Sequence, residues 1–199
     1  MAGLMRRRLR LALSVRVLPP RVARFYWRAS RWALSTGDRF SLASAARPAE
    51  LAELLALARG RTSVVELGTG TAWSAIALAL GDRSRRVITY DPCVRPEREG
   101  YLRLAGAPAR GRIELRDEPD SHGPHAGDPP VELLFVDSSH EREAVLDAFR
   151  AWRDTLAPGA TVVFHDYGHP SYPGVREAVA ELGLQGGVER GGVFVWQVP

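Results

Sequence analysis

Acidic and imidazole groups stand at the ends of four short apolar runs, where they could bind a ligand or move a proton. The runs are Val64-Val65-Glu66-Leu67-Gly68-Thr69-Gly70, Val87-Ile88-Thr89-Tyr90-Asp91, Leu133-Leu134-Phe135-Val136-Asp137 and Val162-Val163-Phe164-His165-Asp166. All 27 basic residues are arginine. With no lysine to form a Schiff base or act as a base, any proton acceptor must be His, Asp, Glu, Tyr, the thiol or water.

Continuous apolar runs separated by helical stretches are what parallel strands buried on both faces look like, and open α/β sheets bind ligands at the carboxyl ends of their strands. Glu66, Asp91, Asp137 and the pair His165-Asp166 then converge on one rim. Periodicity and breakers give the remaining layout. Pro48 opens a helix that Gly60 ends. A strand at 62–67, a Gly-rich turn, a helix at 73–80, a strand at 86–90, a helix near 96–105 and a short strand at 112–115 follow. The Pro-rich stretch 117–130, with His122 and His125, reads as a loop. A strand at 131–136, a helix at 141–156 and a turn at Pro158-Gly159 lead into a fifth strand. A helix at 173–182 and strands at 184–189 and 193–197 complete the chain. The expected fold is α/β: a Rossmann-like, doubly wound, mostly parallel seven-stranded sheet with a C-terminal antiparallel hairpin and N-terminal helices.

The 199 residues are 45% hydrophobic and 25% charged, which is ordinary globular usage and fits one main domain. The net charge of +4 is unevenly placed. Residues 1–40 hold ten arginines and one acid, Asp38, hence +9, whereas residues 41–199 carry −5. We therefore separate residues 1–45, a basic arm and helix that caps the site or reads substrate, from a domain at 46–199. The arm's apolar stretches are too short and too often broken by arginine to span a bilayer or form a signal peptide. It is expected to pack its aromatics on the domain; a membrane surface or nucleic acid is the weaker expectation. The single cysteine, Cys93, excludes an internal disulfide, and the chain is expected to be cytoplasmic.

The turn after the first strand bears on the ligand. A dinucleotide fold wants G-x-G-x-x-G around a pyrophosphate; Gly68 and Gly70 supply two glycines, but the third position is Trp73. The spelling Glu66-Leu67-Gly68-Thr69-Gly70-Thr71-Ala72-Trp73-Ser74 resembles the first motif of class I S-adenosylmethionine-dependent methyltransferases. That resemblance implies that Glu66, Gly68, Thr69 and Gly70 form the cofactor turn and that Asp91 accepts the ribose hydroxyls. It further implies that Asp117 lines the adenine and that Ser74 binds the methionine carboxylate at a helix start.

The later motifs resemble the metal-dependent small-molecule O-methyltransferases, a group that includes catechol O-methyltransferase and antibiotic- and macrolide-tailoring enzymes. The resemblance implies a divalent cation, Mg²⁺ or Mn²⁺, on Asp137, His165 and Asp166. His140 stands where catechol-type enzymes carry a lysine base; with an unperturbed pKa of about 6.5, histidine could take the proton of an acceptor hydroxyl. Asp137 and His140 would then be the catalytic pair and a small molecule the acceptor, with no nucleic acid partner and a homo-oligomer left open.

Each residue has a plainer reading. Ser138 with Glu141 is the pattern of a helix capping box. His165 suits a satisfied histidine beneath a site, and His122, His125 and His169 suit loop positions. Two further functions stay open at this point: an NAD(P)-dependent oxidoreductase on a similar sheet, and a non-catalytic S-adenosylmethionine-binding protein.

Overall fold

The computed structural model describes residues 14–199. The arginine run Arg6–Arg10 and its neighbours up to Leu13 lie outside the described residues.

Seven strands form one sheet: β1 (Ser63–Leu67), β2 (Arg86–Tyr90), β3 (Ile113–Arg116), β4 (Val131–Val136), β5 (Leu156–Phe164), β6 (Val188–Arg190) and β7 (Val193–Gln197), in the order β3-β2-β1-β4-β5-β7-β6. The first five are mutually parallel, and β7 runs antiparallel to both β5 and β6. The apolar runs are continuous because alternate residues bury on opposite faces. Val64, Val87, Leu133, Phe135 and Val163 join one core; Val65, Ile88, Leu134, Val136, Val162 and Phe164 join the other. The strand order reverses between β1 and β4, which is where a doubly wound sheet opens its ligand crevice.

Helices α1 (Pro20–Thr36), α2 (Arg39–Ser44), α3 (Pro48–Leu57), α4 (Trp73–Gly81), α5 (Arg98–Ala105) and α6 (Ala107–Arg110) precede β4, and α7 (Arg142–Trp152) and α8 (Pro173–Leu182) follow it. Helix α1 starts at a proline whose missing N–H costs nothing there, and it stops at Gly37, which takes the left-handed conformation at φ 72°. Its buried stripe of Val22, Phe25, Tyr26, Ala29 and Ala33 faces the first core. There Trp73, the residue in the third-glycine position, packs edge-on against Phe25, Tyr26 and Tyr101, with ring centroids 6.1, 5.1 and 5.2 Å apart. The indole thus fills a seam between α4 and the N-terminal helix α1.

The structure differs from the sequence reading at element ends. Strand β5 begins at Leu156, ahead of Pro158-Gly159. Val131 pairs with Leu156 while Leu133 pairs with Thr161, so the Pro-Gly pair bulges outward, Gly159 at φ 69°, without ending the strand. Strand β6 is shortened to 188–190 because α8 ends in a left-handed Gly183 and Leu184 turns onto the second core. Ser138 and Glu141 form no capping box: Glu141 is itself the N-cap of α7, and its N–H is bonded by Ser139 Oγ at 3.2 Å.

Helix α1 is also fixed on α5, where a Cβ built on Gly100 would lie 2.1 Å from Trp32 Cη2. Gly100→Ala should therefore destabilise the fold by roughly 1–3 kcal/mol, the usual range for overpacking, read as a lower urea midpoint at an unchanged slope.

Candidate active site

The carboxyl ends of the strands enclose a cavity of about 800 Å³ whose floor is the turn after β1. Gly68 adopts φ 101°, a region open to glycine but not to other residues, and a Cβ there would stand 2.1 Å from the carbonyl oxygen of Asp137. This close approach ties the turn to the end of β4. It is continued by Asp137 N–H to Leu67 O at 2.8 Å, while Gly68 and Thr69 N–H both donate to Tyr90 O on the other side. Ser74, in the first turn of α4, lines the same cavity.

Beneath the turn lies Glu66, fully buried on β1. The Thr89 hydroxyl donates to its Oε2 at 2.6 Å and shares a 2.7 Å hydrogen bond with Thr69; Oε1 has no hydrogen-bond partner. Burial pushes the carboxyl up to about 8, partly opposed by the Ser74 and Thr89 hydroxyls and reinforced by the Asp137 and Asp91 charges. Glu66 is therefore a neutral acid at pH 7, buried beneath the turn.

Asp91, at the end of β2, accepts Gly70 N–H at 2.7 Å on Oδ2 and Cys93 N–H at 2.8 Å on Oδ1, so its carboxylate is fixed in orientation with lone pairs left over. Arg98 completes this edge. Its side chain is 4% exposed, and it donates to Gly70 O at 3.1 Å, Cys93 O at 3.1 Å and Asp117 Oδ1 at 2.7 Å, with Asp91 Oδ2 4.0 Å away. One guanidinium fork thus joins three strand ends. Asp117 is half-exposed and turned toward Arg98; the cavity wall beyond β3 is made by Pro119 and Asp120. The Asp120 carboxylate accepts the Ser138 hydroxyl at 2.5 Å, and its carbonyl accepts Trp152 Nε1–H at 2.8 Å.

At the opposite end of the cavity, ligand atoms of Asp137, His140 and Asp166 lie within 4.8 Å of one another. Asp166 holds φ 54°, a strained conformation that asparagine and aspartate tolerate best, and this turns its carboxylate into the corner. It meets His140 Nε2 at 3.0 Å, the His140 ring stacks on Tyr172 with centroids 3.9 Å apart, and the His169 ring also stacks on Tyr172, with centroids 4.6 Å apart. The imidazole and its partners hold Asp166 well below the usual carboxylate range in spite of its burial.

His165 is placed differently from a ligand in this group. Its Nδ1 lies 2.9 Å from Asp137 Oδ1 and 3.3 Å from Asp166 Oδ2, its Nε2 3.8 Å from Glu50 Oε2, and its side chain is 11% exposed. These are ion pairs by distance rather than aligned hydrogen bonds. Burial alone would lower its pKa, but Asp137, Asp166 and Glu50 outweigh it and push it up to about 12. Glu50, carried in by α3, is held at about 2: burial would raise it, but His165 and Arg47 prevail. Two carboxylates and one imidazole remain as a donor set, and their spacing fits a divalent cation on Asp137, His140 and Asp166.

Sequence reasoning missed Arg98, Glu50 and Tyr172. No pattern marked Arg98 among so many arginines. Glu50 carries the helix-start signal of an acid three residues after Arg47, whose N–H it accepts at 2.8 Å, and this masks its second contact inside the site.

The fold and site define a Rossmann-like domain with one cavity at its β1–β4 switch point, floored by the glycine turn and reaching the Asp137–Asp166 corner. Residues 65–167 match the family described as a methyltransferase domain, and the chain belongs to that family. No curated protein matches the sequence. Similar solved structures include the O-methyltransferase TomG from Streptomyces achromogenes, involved in tomaymycin synthesis and in complex with SAM. It has 20% identity and a TM-score of 0.62 over 78% of this chain and 82% of that one. An O-methyltransferase from Bacillus cereus in complex with SAH has 16% identity and a TM-score of 0.66 over 85% and 90%. The SAH-bound methyltransferase PaMTH1 of Podospora anserina has 14% identity and a TM-score of 0.66 over 91% and 88%.

The raised Glu66 has a stability signature. A folded-state pKa near 8 against about 4.5 unfolded means that its contribution is fully present below about pH 4.5 and is lost as the pH rises to 8. Glu66→Gln should flatten the pH dependence of stability in that window by up to about 1.4 kcal/mol per pH unit, measured as the difference between variant and wild-type urea unfolding.

Proposed function

We propose that this protein transfers the methyl group of S-adenosylmethionine to a hydroxyl oxygen of a small-molecule acceptor. The observation that carries the reading is one cavity with two ends. A fixed diol acceptor, Asp91, stands beside a glycine turn at one end, and a carboxylate–imidazole corner stands at the other.

The cofactor supplies an electrophilic methyl group on a sulfonium. Asp91 holds the ribose hydroxyls with its spare lone pairs, the Gly68–Gly70 backbone accommodates the sugar, and Ser74 faces the amino-acid tail while Glu66 supports the turn from beneath. Arg98 keeps Asp91, the turn and the β3 end in register. Orientation of the acceptor oxygen along the line of the methyl transfer is then the main catalytic contribution. Family membership and the bound ligands of similar structures support this cofactor. An oxidoreductase reading lacks the third glycine, because Trp73 is committed to the α1 seam.

His140 moves the acceptor proton. With Nε2–H given to Asp166, Nδ1 is the free base, and stacking on Tyr172 holds the ring plane. A divalent cation on Asp137, His140 and Asp166 would lower the pKa of a bound hydroxyl. A ring nitrogen given to that cation would not be available to take the proton, so ligand and base are alternative roles for His140.

Calorimetric titration with S-adenosylhomocysteine should give binding that Asp91→Ala weakens roughly 10- to 100-fold, as expected for lost hydrogen bonds to a charged group. Arg98→Met should weaken it about tenfold. Arg85→Met is the control for general destabilisation: Arg85 is buried at the far end of the sheet on the carbonyls of Arg61, Leu78 and Ala58, so its loss should lower the melting temperature and leave affinity alone. Binding of NADH in place of S-adenosylhomocysteine would end the methyltransferase reading.

His140→Ala should lower kcat by about 10²–10⁴ while leaving cofactor affinity unchanged. Titration with Mn²⁺ followed by electron paramagnetic resonance separates the two roles: tight binding lost in His140→Ala makes it a ligand, and no binding leaves it as base.

A further inference from the structure

Helix α1 has an outer face that the methyl-transfer site does not use. Arg21, Arg24, Arg28 and Arg31 are all exposed, and at 100° per residue they occupy an arc of about 80° opposite the buried stripe. At 1.5 Å rise, the four charges spread along about 15 Å. None of them forms an ion pair among the described residues, and α1 contains no acid. Arg28 reaches only a carbonyl, Leu104 O at 3.3 Å. Arg16, just upstream, is exposed as well.

Four unpaired guanidiniums on one face repel one another, and most proteins would intersperse acids among them. Their juxtaposition fits an anionic partner. The apolar residues flanking the stripe decide which kind. Val17 is 58% exposed and Leu34 is 63% exposed, at the two ends of the basic face. The described residues leading into it, Ser14-Val15-Arg16-Val17-Leu18, set one exposed arginine among aliphatic side chains and include no acid. Aliphatic groups beside arginines suit a lipid headgroup layer, into which they insert while the guanidiniums meet phosphates. No helix among the described residues is long and apolar enough to cross a membrane, so the contact would lie along the surface. The −5 charge of residues 41–199 would keep the remainder of the molecule away from the same surface.

We propose that the arginine face of α1, together with Arg16 just before it, docks this protein on anionic phospholipid surfaces. Each arginine near such a surface contributes about fivefold in partitioning (about 1 kcal/mol).

The test is co-sedimentation of the full chain with vesicles of mixed phosphatidylcholine and phosphatidylglycerol, against vesicles of phosphatidylcholine alone. The wild type should bind the anionic vesicles and not the neutral ones, with affinity falling as salt rises. Arg21→Gln, Arg24→Gln and Arg31→Gln together should weaken binding about a hundredfold at an unchanged melting temperature. The triple variant Arg59→Gln, Arg83→Gln and Arg153→Gln makes the same change of net charge elsewhere and should bind as the wild type does. Equal loss in both triples, or equal binding to neutral vesicles, would overturn the proposal. Tighter binding to a short DNA duplex than to the anionic vesicles, competing for the same arginines, would overturn it in favour of a nucleic-acid surface.

Discussion

The site depends on how closely two stretches of backbone approach: the turn after β1 lies against the carbonyl of Asp137, with only a hydrogen on Gly68 between them. Any side chain there would force the turn away from β4 or distort the end of that strand. Because Asp137 opens the carboxylate–imidazole corner and Gly68–Gly70 floor the other end, this one contact sets the distance between the two halves of the cavity. The hydrogen bonds from Gly68 and Thr69 to Tyr90, and from Asp137 to Leu67, then extend the constraint to the neighbouring strand ends. Chemistry that depends on alignment to a fraction of an ångström is served by such a rigid junction.

Charge is balanced differently at the two ends. At the glycine-turn end, one buried arginine ties carbonyls and a carboxylate together, and the buried acid below the turn is neutral. At the opposite corner, three carboxylates, Glu50, Asp137 and Asp166, surround the imidazolium of His165. A buried charge persists only with partners. His165 therefore belongs to the support beneath the corner, while His140, a third exposed and stacked on Tyr172, stands at its surface.

The sheet was legible because each central strand is buried on both faces and reads as an unbroken apolar run. The rim residues followed from the strands, since a polar group at the carboxyl end of such a run has few other places to go. Element ends were less legible. The pair Pro158-Gly159 reads as a turn in isolation, yet it sits as a bulge in β5 because pairing with Val131 begins before it. Ser138 and Glu141 have capping-box spacing, but the Ser138 hydroxyl goes to Asp120, a partner 18 positions away. Arg98 was illegible for a related reason: its value lies in three contacts brought together only by the fold, and nothing in its immediate sequence distinguishes it from neighbouring arginines. Trp73 was read for what it excludes, a third glycine; its positive role needed the aromatic face of α1.

That seam has a thermodynamic consequence. Trp73 begins the helix whose first turn faces the cofactor cavity, and it is wedged under Phe25 and Tyr26 of the N-terminal helix. The docking of that helix and the shape of the cofactor turn are thus held by one shared side chain. Linkage runs equally in both directions: if filling the cavity tightens the seam by some factor, a load placed on the outer face of the helix must alter ligand affinity by the same factor. A bulky residue where glycine is common would then act as a coupling joint, allowing events at the molecule's basic face to be felt at its catalytic rim.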